Sequence, residues 1–343
     1  MTLKKLLAPL RYLIFLGIGV GLFWLTIKDL PLKTVFDKIG DADLFWILLS
    51  VLFSAIALIC RTFRWIQLIE PLGYKPRFWA TYNATMFGYL ANFALPRLGE
   101  ITRCGALGKS EEIPFDKLIG TVIIERASDV LMLFVSIILV ALLEFDRLGG
   151  FLKDQFLIPL LAKMNDSKMI VAFLLIMMMV GLAAIIWLFK MKNPPQIIQK
   201  IKKLLLGIAV GLKSVTQLRN KWLYVFNSFF IWTMYWLGTY VSFHALSSTN
   251  ALGASAGLFV MMLGAIGMTA PVQGGLGTYE ILVVSGLLLY NIGDIDSKAF
   301  ALMTHGTQTV LMIVLGVISM ICLFFLTKPR SSRIHESSEK STA

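Results

Sequence analysis

LFWILLSVLFSAIALICRTFRWIQLI, residues Leu44 to Ile69, is the stretch on which the reading of the fold turns. No position from Leu44 to Cys60 carries a charge. A membrane-spanning helix needs roughly 20 mostly apolar residues, because the hydrocarbon core is about 30 Å thick and a helix rises about 1.5 Å per residue. The segment meets that length. Arg61 and Arg64 lie in its second half, with Lys75 and Arg77 beyond. Basic residues gather on the cytoplasmic side of a membrane protein, so this end is expected to face the cytoplasm.

Composition extends that reading to the whole chain. Of 343 residues, 57% are hydrophobic and 15% charged, with a mean hydropathy of +0.77. Such a balance excludes an ordinary soluble domain. The net charge of +12 does not point to nucleic acid, because Lys and Arg sit in short stretches between apolar runs, the pattern of topology signals that also attract anionic lipid headgroups. Cys60, Cys104 and Cys322 lie in or beside apolar segments without paired spacing, so neither a disulfide framework nor a zinc site is expected. No metal, cofactor or nucleotide-binding motif emerges.

Working outward, a first span is expected over about Leu10 to Ile27, after Lys4 and Lys5, with Gly17 and Gly21 at a spacing that permits close helix packing. No small-residue cleavage site follows it, so it reads as a retained span rather than a signal peptide. Further spans are expected at about Leu118 to Leu143, Met169 to Phe189, Trp222 to Leu246 and Ala299 to Leu326. Between the fourth and fifth, Ile197, Ile201, Leu204, Leu205, Ile208 and Leu212 recur at helical spacing with lysines in the gaps, which predicts an amphipathic helix on the inner membrane surface. The fold class is therefore all-α: a polytopic membrane protein of about 6 to 8 spans in a single domain over 1–330. Its halves are 1–168 and 169–330, followed by a polar tail at 331–343. Both termini are expected to be cytoplasmic.

Two apolar stretches are interrupted. Phe78 to Leu95 contains Asn83, Gly88 and Asn92, then meets Pro96, Arg97, Gly99 and Glu100; Leu252 to Ala270 and Thr278 to Tyr290 are joined by Pro271, Val272, Gln273, Gly274, Gly275, Leu276 and Gly277, with Glu280 following. Proline removes a donor and glycine loosens a helix, so both sites free backbone groups at membrane depth. Irregular backbone survives there only when protein or a water-filled cavity covers it, and paired interruptions in two halves point to a transporter's binding site. The first interruption has basic residues on both sides and is expected to enter and leave from the cytoplasm as a re-entrant helix. The second reads equally as a re-entrant hairpin or as two crossings. If the two enter from opposite sides, the halves form an inverted repeat.

Charges inside apolar spans are costly and should face the bundle interior in pairs. GTVIIERASDVLMLF places Glu125 and Asp129 on one face and Arg126 within reach of Asp129. Arg61, Arg64, Arg97, Arg103 and Arg126 together could hold a phosphate, since guanidinium forks match phosphate oxygens; Arg61 and Arg64 could equally snorkel to the interface. His305 and Gln308 share a face of the last span, which suits an interhelical hydrogen bond or a proton relay.

The motifs RTFRW at Arg61 to Trp65, NFALPRLGEITR at Asn92 to Arg103, ERASD at Glu125 to Asp129 and PVQGGLGTYE at Pro271 to Glu280 resemble the lysylphosphatidylglycerol synthase transmembrane region family, also described as flippase-like. The resemblance covers nearly the whole chain. It implies a helical membrane domain with broken helices and, in bifunctional members, transfer of aminoacylated phospholipid between leaflets of the bacterial inner membrane. Those members add a soluble acyltransferase-like domain; the tail SSRIHESSEKSTA offers none, so this chain is expected not to be an enzyme. The expected substrate is a membrane phospholipid or lipid-linked headgroup, with a homo-oligomer or a separate enzyme as partner. The expected substrate-binding residues are Arg61, Arg64, Asn92, Arg97, Glu100, Arg103, Glu125, Arg126, Asp129, Gln273, Glu280 and His305. Two rival readings are an intramembrane enzyme using Glu125 or Glu280 on a lipid headgroup, and a non-catalytic membrane scaffold.

Overall fold

The structure is a computed structural model that describes residues 32–95, 98–145 and 220–326, with the isolated positions 21, 24, 147 and 218. The expected fourth span, the amphipathic helix, the polar tail, Pro96, Arg97 and all of the expected first span but positions 21 and 24 lie outside the described residues. Every regular element among the described residues is helical: α1 (Leu32–Gly40), α2 (Leu44–Ile69), α3 (Phe78–Ala94), α4 (Leu98–Glu111), α5 (Phe115–Leu143), α6 (Lys221–Ser242), α7 (Ala254–Thr269), α8 (Thr278–Leu288) and α9 (Asp294–Ile321), with single 3-10 turns between some of them and a π turn after α9.

The chain is a polytopic helical membrane protein. Three stretches are long and apolar enough to cross a bilayer: Leu44–Leu72, Phe115–Leu143 and Asp294–Phe325, of 29, 29 and 32 residues. Their burial pattern is inside out. On α2, Leu44, Leu48, Leu52, Ile59 and Phe63 are exposed, whereas Arg61, Thr62 and Arg64 are buried. Water would reverse that preference; lipid as the surrounding solvent explains it. The stripe Leu131, Phe134, Ile138 and Leu142 on α5 repeats the pattern at helical spacing.

Helix starts follow local chemistry. The Asp43 carboxylate accepts the Phe45 N–H at 2.9 Å and caps α2. The last span was expected from Ala299, yet α9 begins at Asp294. A hydropathy reading discards Asp294, Asp296 and Lys298, but acidic groups in a first turn favour the helix and do not end it, and Asp296 also meets Lys38 of α1 at 2.6 Å.

α3 and α4 form a hairpin whose arms touch backbone to backbone. A Cβ on Gly99 would overlap the Gly88 carbonyl and the Asn92 amide, and one on Gly88 would sit 2.8 Å from the Gly99 carbonyl. The Asn92 Oδ1 accepts the Gly99 N–H at 2.7 Å, satisfying a first-turn donor of α4 that the broken helix leaves without a partner. At the open end, Arg77 Nε and Glu111 Oε1 lie 2.7 Å apart, so the hairpin begins and ends at one level. Gly99→Ala is expected to cost about 1–3 kcal/mol through overpacking, read as a lower thermal stability in detergent. Gly105→Ala, with open space around it, is expected to be neutral or slightly stabilising.

α7 and α8 form a second hairpin, joined by residues 270–277. Gly264 and Gly267 press against Tyr279 at its tip, and Gly286 meets Leu263 nearer its open end. Gly274, Gly275 and Gly277 take φ of 57°, 77° and 80°, the left-handed region that side chains disfavour. α7 and α8 have 16 and 11 residues, about 24 and 17 Å of helix, each shorter than the hydrocarbon core.

α9 serves as a ruler for both hairpins. Gly316 seats against Leu90 and Met86 of α3, and Trp79 and Tyr82 share a groove with Ser319 and Cys322, so the open end of the first hairpin lies beside the C-terminal end of α9. The second hairpin runs out of α8 through Leu289 to Gly293 directly into the N-terminal end of α9. The two tips meet: the Phe93 ring lies against Gly274, where a Cβ would sit 2.6 Å from it.

Candidate functional site: a buried arginine and carboxylate network

Spacing on α2 and α5 builds the core of the site. Arg61 and Arg64 are three residues apart and Glu125 and Asp129 four, so each pair shares a helix face, and the two faces oppose each other. Arg61 Nη2 donates to Glu125 Oε1 at 2.7 Å and to Asp129 Oδ2 at 3.1 Å. Arg64 Nη2 reaches Asp129 Oδ1 at 2.6 Å and Glu125 Oε1 at 3.5 Å. α4 adds Arg103, 2.9 Å from Glu125 Oε2. Arg126 closes the set, 3.5 Å from Asp129, 3.7 Å from Glu125 and 3.6 Å from Glu100 at the start of α4.

Glu125 and Arg64 have fully buried side chains, and Arg61 and Arg103 nearly so, whereas the Arg126 side chain is 43% exposed. Buried ions are tolerated only when paired and hydrogen-bonded, and this set is paired with a remainder. Four guanidinium groups face three carboxylates, leaving a formal excess of one positive charge. The Nε atoms of Arg61, Arg64 and Arg126 and the second oxygen of Glu100 are buried without a hydrogen-bond partner. The excess charge and the unpartnered guanidinium N–H groups suit an added anion that brings several acceptor oxygens, whereas the free Glu100 oxygen suits a donor.

Arg61 and Arg64 thus turn inward and do not snorkel. Around them stand groups that the sequence reading did not select. Arg61 Nη1 lies 3.4 Å from the Tyr235 hydroxyl, Arg64 Nη1 3.5 Å from Ser228 Oγ, and the Arg103 guanidinium lies over the Trp65 ring at 4.6 Å. Trp65 is fixed by its own hydrogen bond to Thr121 at 2.8 Å. Its place one turn after Arg61 in RTFRW was the available signal; nothing in the sequence announced Tyr235 or Ser228.

Asn92, Glu100, Arg103 and Arg126 line a cavity with Gly88 and Tyr89, of only about 10 Å³. That is the room for about one water molecule, so the cavity itself admits no headgroup, while the Arg126 and Glu100 side chains at its edge remain 43% and 28% exposed.

The remaining candidates fall in a second group at the other hairpin. Glu280 Oε1 and His305 Nδ1 are 2.6 Å apart, His305 Nε2 is 2.9 Å from the Gly274 carbonyl, and Glu280 Oε2 accepts the Gly277 N–H at 2.7 Å. Gln273 has a buried side-chain oxygen without a hydrogen-bond partner. The two groups adjoin through Phe93 on Gly274, an apolar contact, so among the described residues the two breaks meet without an open polar space between them. Among the described residues no cluster of His, Cys, Asp or Glu could hold a metal.

Comparison with known proteins bears on this arrangement. The family described as lysylphosphatidylglycerol synthase TM region matches residues 12–316. The chain belongs to that family. Membership associates this lysylphosphatidylglycerol synthase TM-region protein with lipid handling in a membrane, in agreement with the inside-out burial of its helices. No curated protein and no solved structure matches the chain. All four motifs lie inside the matched residues, as do the whole of the arginine and carboxylate network and the Glu280 and His305 pair.

Proposed function

We propose that this chain moves a phospholipid or lipid-linked headgroup between the leaflets of a bacterial inner membrane, without altering it chemically. The observation that carries this reading is the buried network with its formal excess of one positive charge and its unsatisfied guanidinium donors, set in the part of the protein that faces lipid on its outer surface. A phosphodiester carries one negative charge and two free acceptor oxygens, which Arg126 and Arg103 would receive, while Glu100 and Asn92 contact polar parts of the headgroup. The acyl chains stay in the bilayer.

In this reading the two hairpins are re-entrant and enter from opposite faces. Their short arms, their open ends at opposite ends of α9 and their abutting tips support it. Arg77, Lys109 and Lys117 at the open end of the first hairpin support a cytoplasmic entry for it, and both chain termini are proposed to be cytoplasmic as well. Two opposed hairpins are the inverted-repeat arrangement in which rocking one half against the other alternates access to a shared site. In this reading the cavity of about 10 Å³ would belong to a closed stage of that cycle.

The test is reconstitution of the purified protein into vesicles with head-labelled phospholipids and polyprenyl phosphates. Label on the inner leaflet is expected to reach the outer leaflet faster than in protein-free vesicles for at least one phosphate-bearing lipid. Rates equal to those of protein-free vesicles across the whole set would remove the proposal. A labelled lipid recovered in altered chemical form would instead favour an intramembrane enzyme.

A further inference from the structure

The His305 ring sits between two groups that constrain its protons. The Gly274 carbonyl oxygen only accepts, so His305 Nε2 carries a hydrogen and donates it across 2.9 Å. On the other side, Nδ1 and Glu280 Oε1 approach to 2.6 Å. Two lone pairs do not face each other at that distance, so one proton lies between them, whether written as imidazolium with carboxylate or as imidazole with carboxylic acid. The second Glu280 oxygen accepts the Gly277 N–H at 2.7 Å.

Each partner therefore holds one end of the same glycine turn: His305 takes hold of Gly274 and Glu280 of Gly277. The turn has no strong grip of its own. Three of its glycines have positive φ, and its other hydrogen bonds are the Leu276 N–H to the Gln273 carbonyl at 3.1 Å, the Ile281 N–H to the Gly277 carbonyl at 3.0 Å, and the Thr278 hydroxyl to the Gly275 and Gly267 carbonyls at 2.9 and 2.8 Å. The surroundings of the pair are apolar or neutral. The Tyr279 ring stacks on the imidazole at 4.6 Å with its hydroxyl 3.3 Å from that of Thr304, α7 brings Gly264 and Gly267 against Tyr279, and α3 brings the Phe93 ring. Glu280 and His305 are both nearly fully buried. No neighbouring charge among the described contacts stands in for the shared proton.

We infer that Glu280 and His305 form a proton-binding latch on the turn Gly274–Gly277, closed when one proton is shared between them and opened when that proton leaves to water. Departure of the proton leaves one ring N–H for two acceptors, the Glu280 carboxylate and the Gly274 carbonyl; the carboxylate is the stronger acceptor, so His305 turns its hydrogen to Glu280 and the hold on Gly274 is lost. The tip of the second hairpin then draws away from Phe93. The further step, that this proton couples hairpin movement to a transmembrane proton gradient, rests on the lipid-transfer reading above.

Glu280→Gln isolates the latch. A glutamine there retains every contact: its oxygen accepts the Gly277 N–H, its amide donates to His305 Nδ1, and neutral His305 still donates to Gly274. The turn is then latched with nothing to release. Val272, buried in the turn, replaced with cysteine serves as reporter, in a chain whose Cys60, Cys104 and Cys322 are alanine. Maleimide labelling is compared between this parent and its Glu280→Gln derivative in vesicles, so that the pH response of the thiol cancels in the ratio. The parent-to-derivative ratio is expected to be near one at about pH 5 and on the order of tenfold at about pH 9, the factor that one charge-assisted hydrogen bond carries. His305→Ala is expected to label rapidly at both. A ratio that does not change with pH, or His305→Ala labelling as slowly as Glu280→Gln, overturns the latch. Lipid transfer with a constant ratio defeats the latch and leaves the transport reading intact; a pH-dependent ratio without lipid transfer does the reverse.

Discussion

Glu125→Ala is expected to destabilise the detergent-solubilised protein by about 3–5 kcal/mol, enough to prevent recovery of a monodisperse folded species. The carboxylate is fully buried and is approached by all four arginines, Arg61 at 2.7 Å, Arg103 at 2.9 Å, Arg64 at 3.5 Å and Arg126 at 3.7 Å. Its removal leaves four positive groups facing only Asp129 and Glu100. The penalty is less the loss of an attraction than the stranding of charges that were taken out of water in company. Glu125→Gln, which retains the shape and loses the charge, is expected to fail for the same reason. Thermal unfolding followed by size-exclusion chromatography checks this, and a midpoint within about 2 °C of the unsubstituted chain would show that the network is not a structural keystone.

Arg126→Gln is expected to do the opposite. Its side chain is 43% exposed and its pairings are long, 3.5 to 3.7 Å, so they belong with ion pairs worth about 0–1 kcal/mol. The fold should persist. The substitution removes the formal excess charge and the guanidinium that lines the cavity, so the lipid transfer rate is expected to fall about 10- to 100-fold, or about 1.4–2.8 kcal/mol in the barrier. Arg126→Lys, which returns the charge without the fork, should recover part of the rate. Unchanged transfer in Arg126→Gln vesicles, with the protein correctly folded, would mean that phosphate is held elsewhere.

What could be read from the sequence divides along a physical line. Face-sharing within a helix is a matter of spacing, so the pairing of Arg61 with Arg64 and of Glu125 with Asp129 was visible before any fold was known. Which arginine meets which carboxylate was not, because those contacts span 61 to 68 positions in the chain. The long helices announced themselves by apolar length. α1 and α4 did not: both are short and carry several charges, so tertiary packing rather than hydrophobicity holds them helical. The two interruptions were legible from proline and glycine, yet their meeting through Phe93 and Gly274 was not, since an apolar ring gives no sign of where it will lodge. Spacing sets His305 beside Gln308 on its own helix, while its partner, Glu280, stands 25 positions earlier across a turn.

α3 touches three neighbours through glycines: Gly99 of α4, Gly316 of α9 and Gly274 in the second break. These positions are remote in the chain, yet each sets the distance of a different body from the same backbone. Thickening any one of them displaces a helix that the other two also grip. Free energies of substitution at 99, 274 and 316 are therefore not independent quantities. Mutational tolerance in this protein is a property of the trio, and a residue accepted at one of them depends on what already occupies the others.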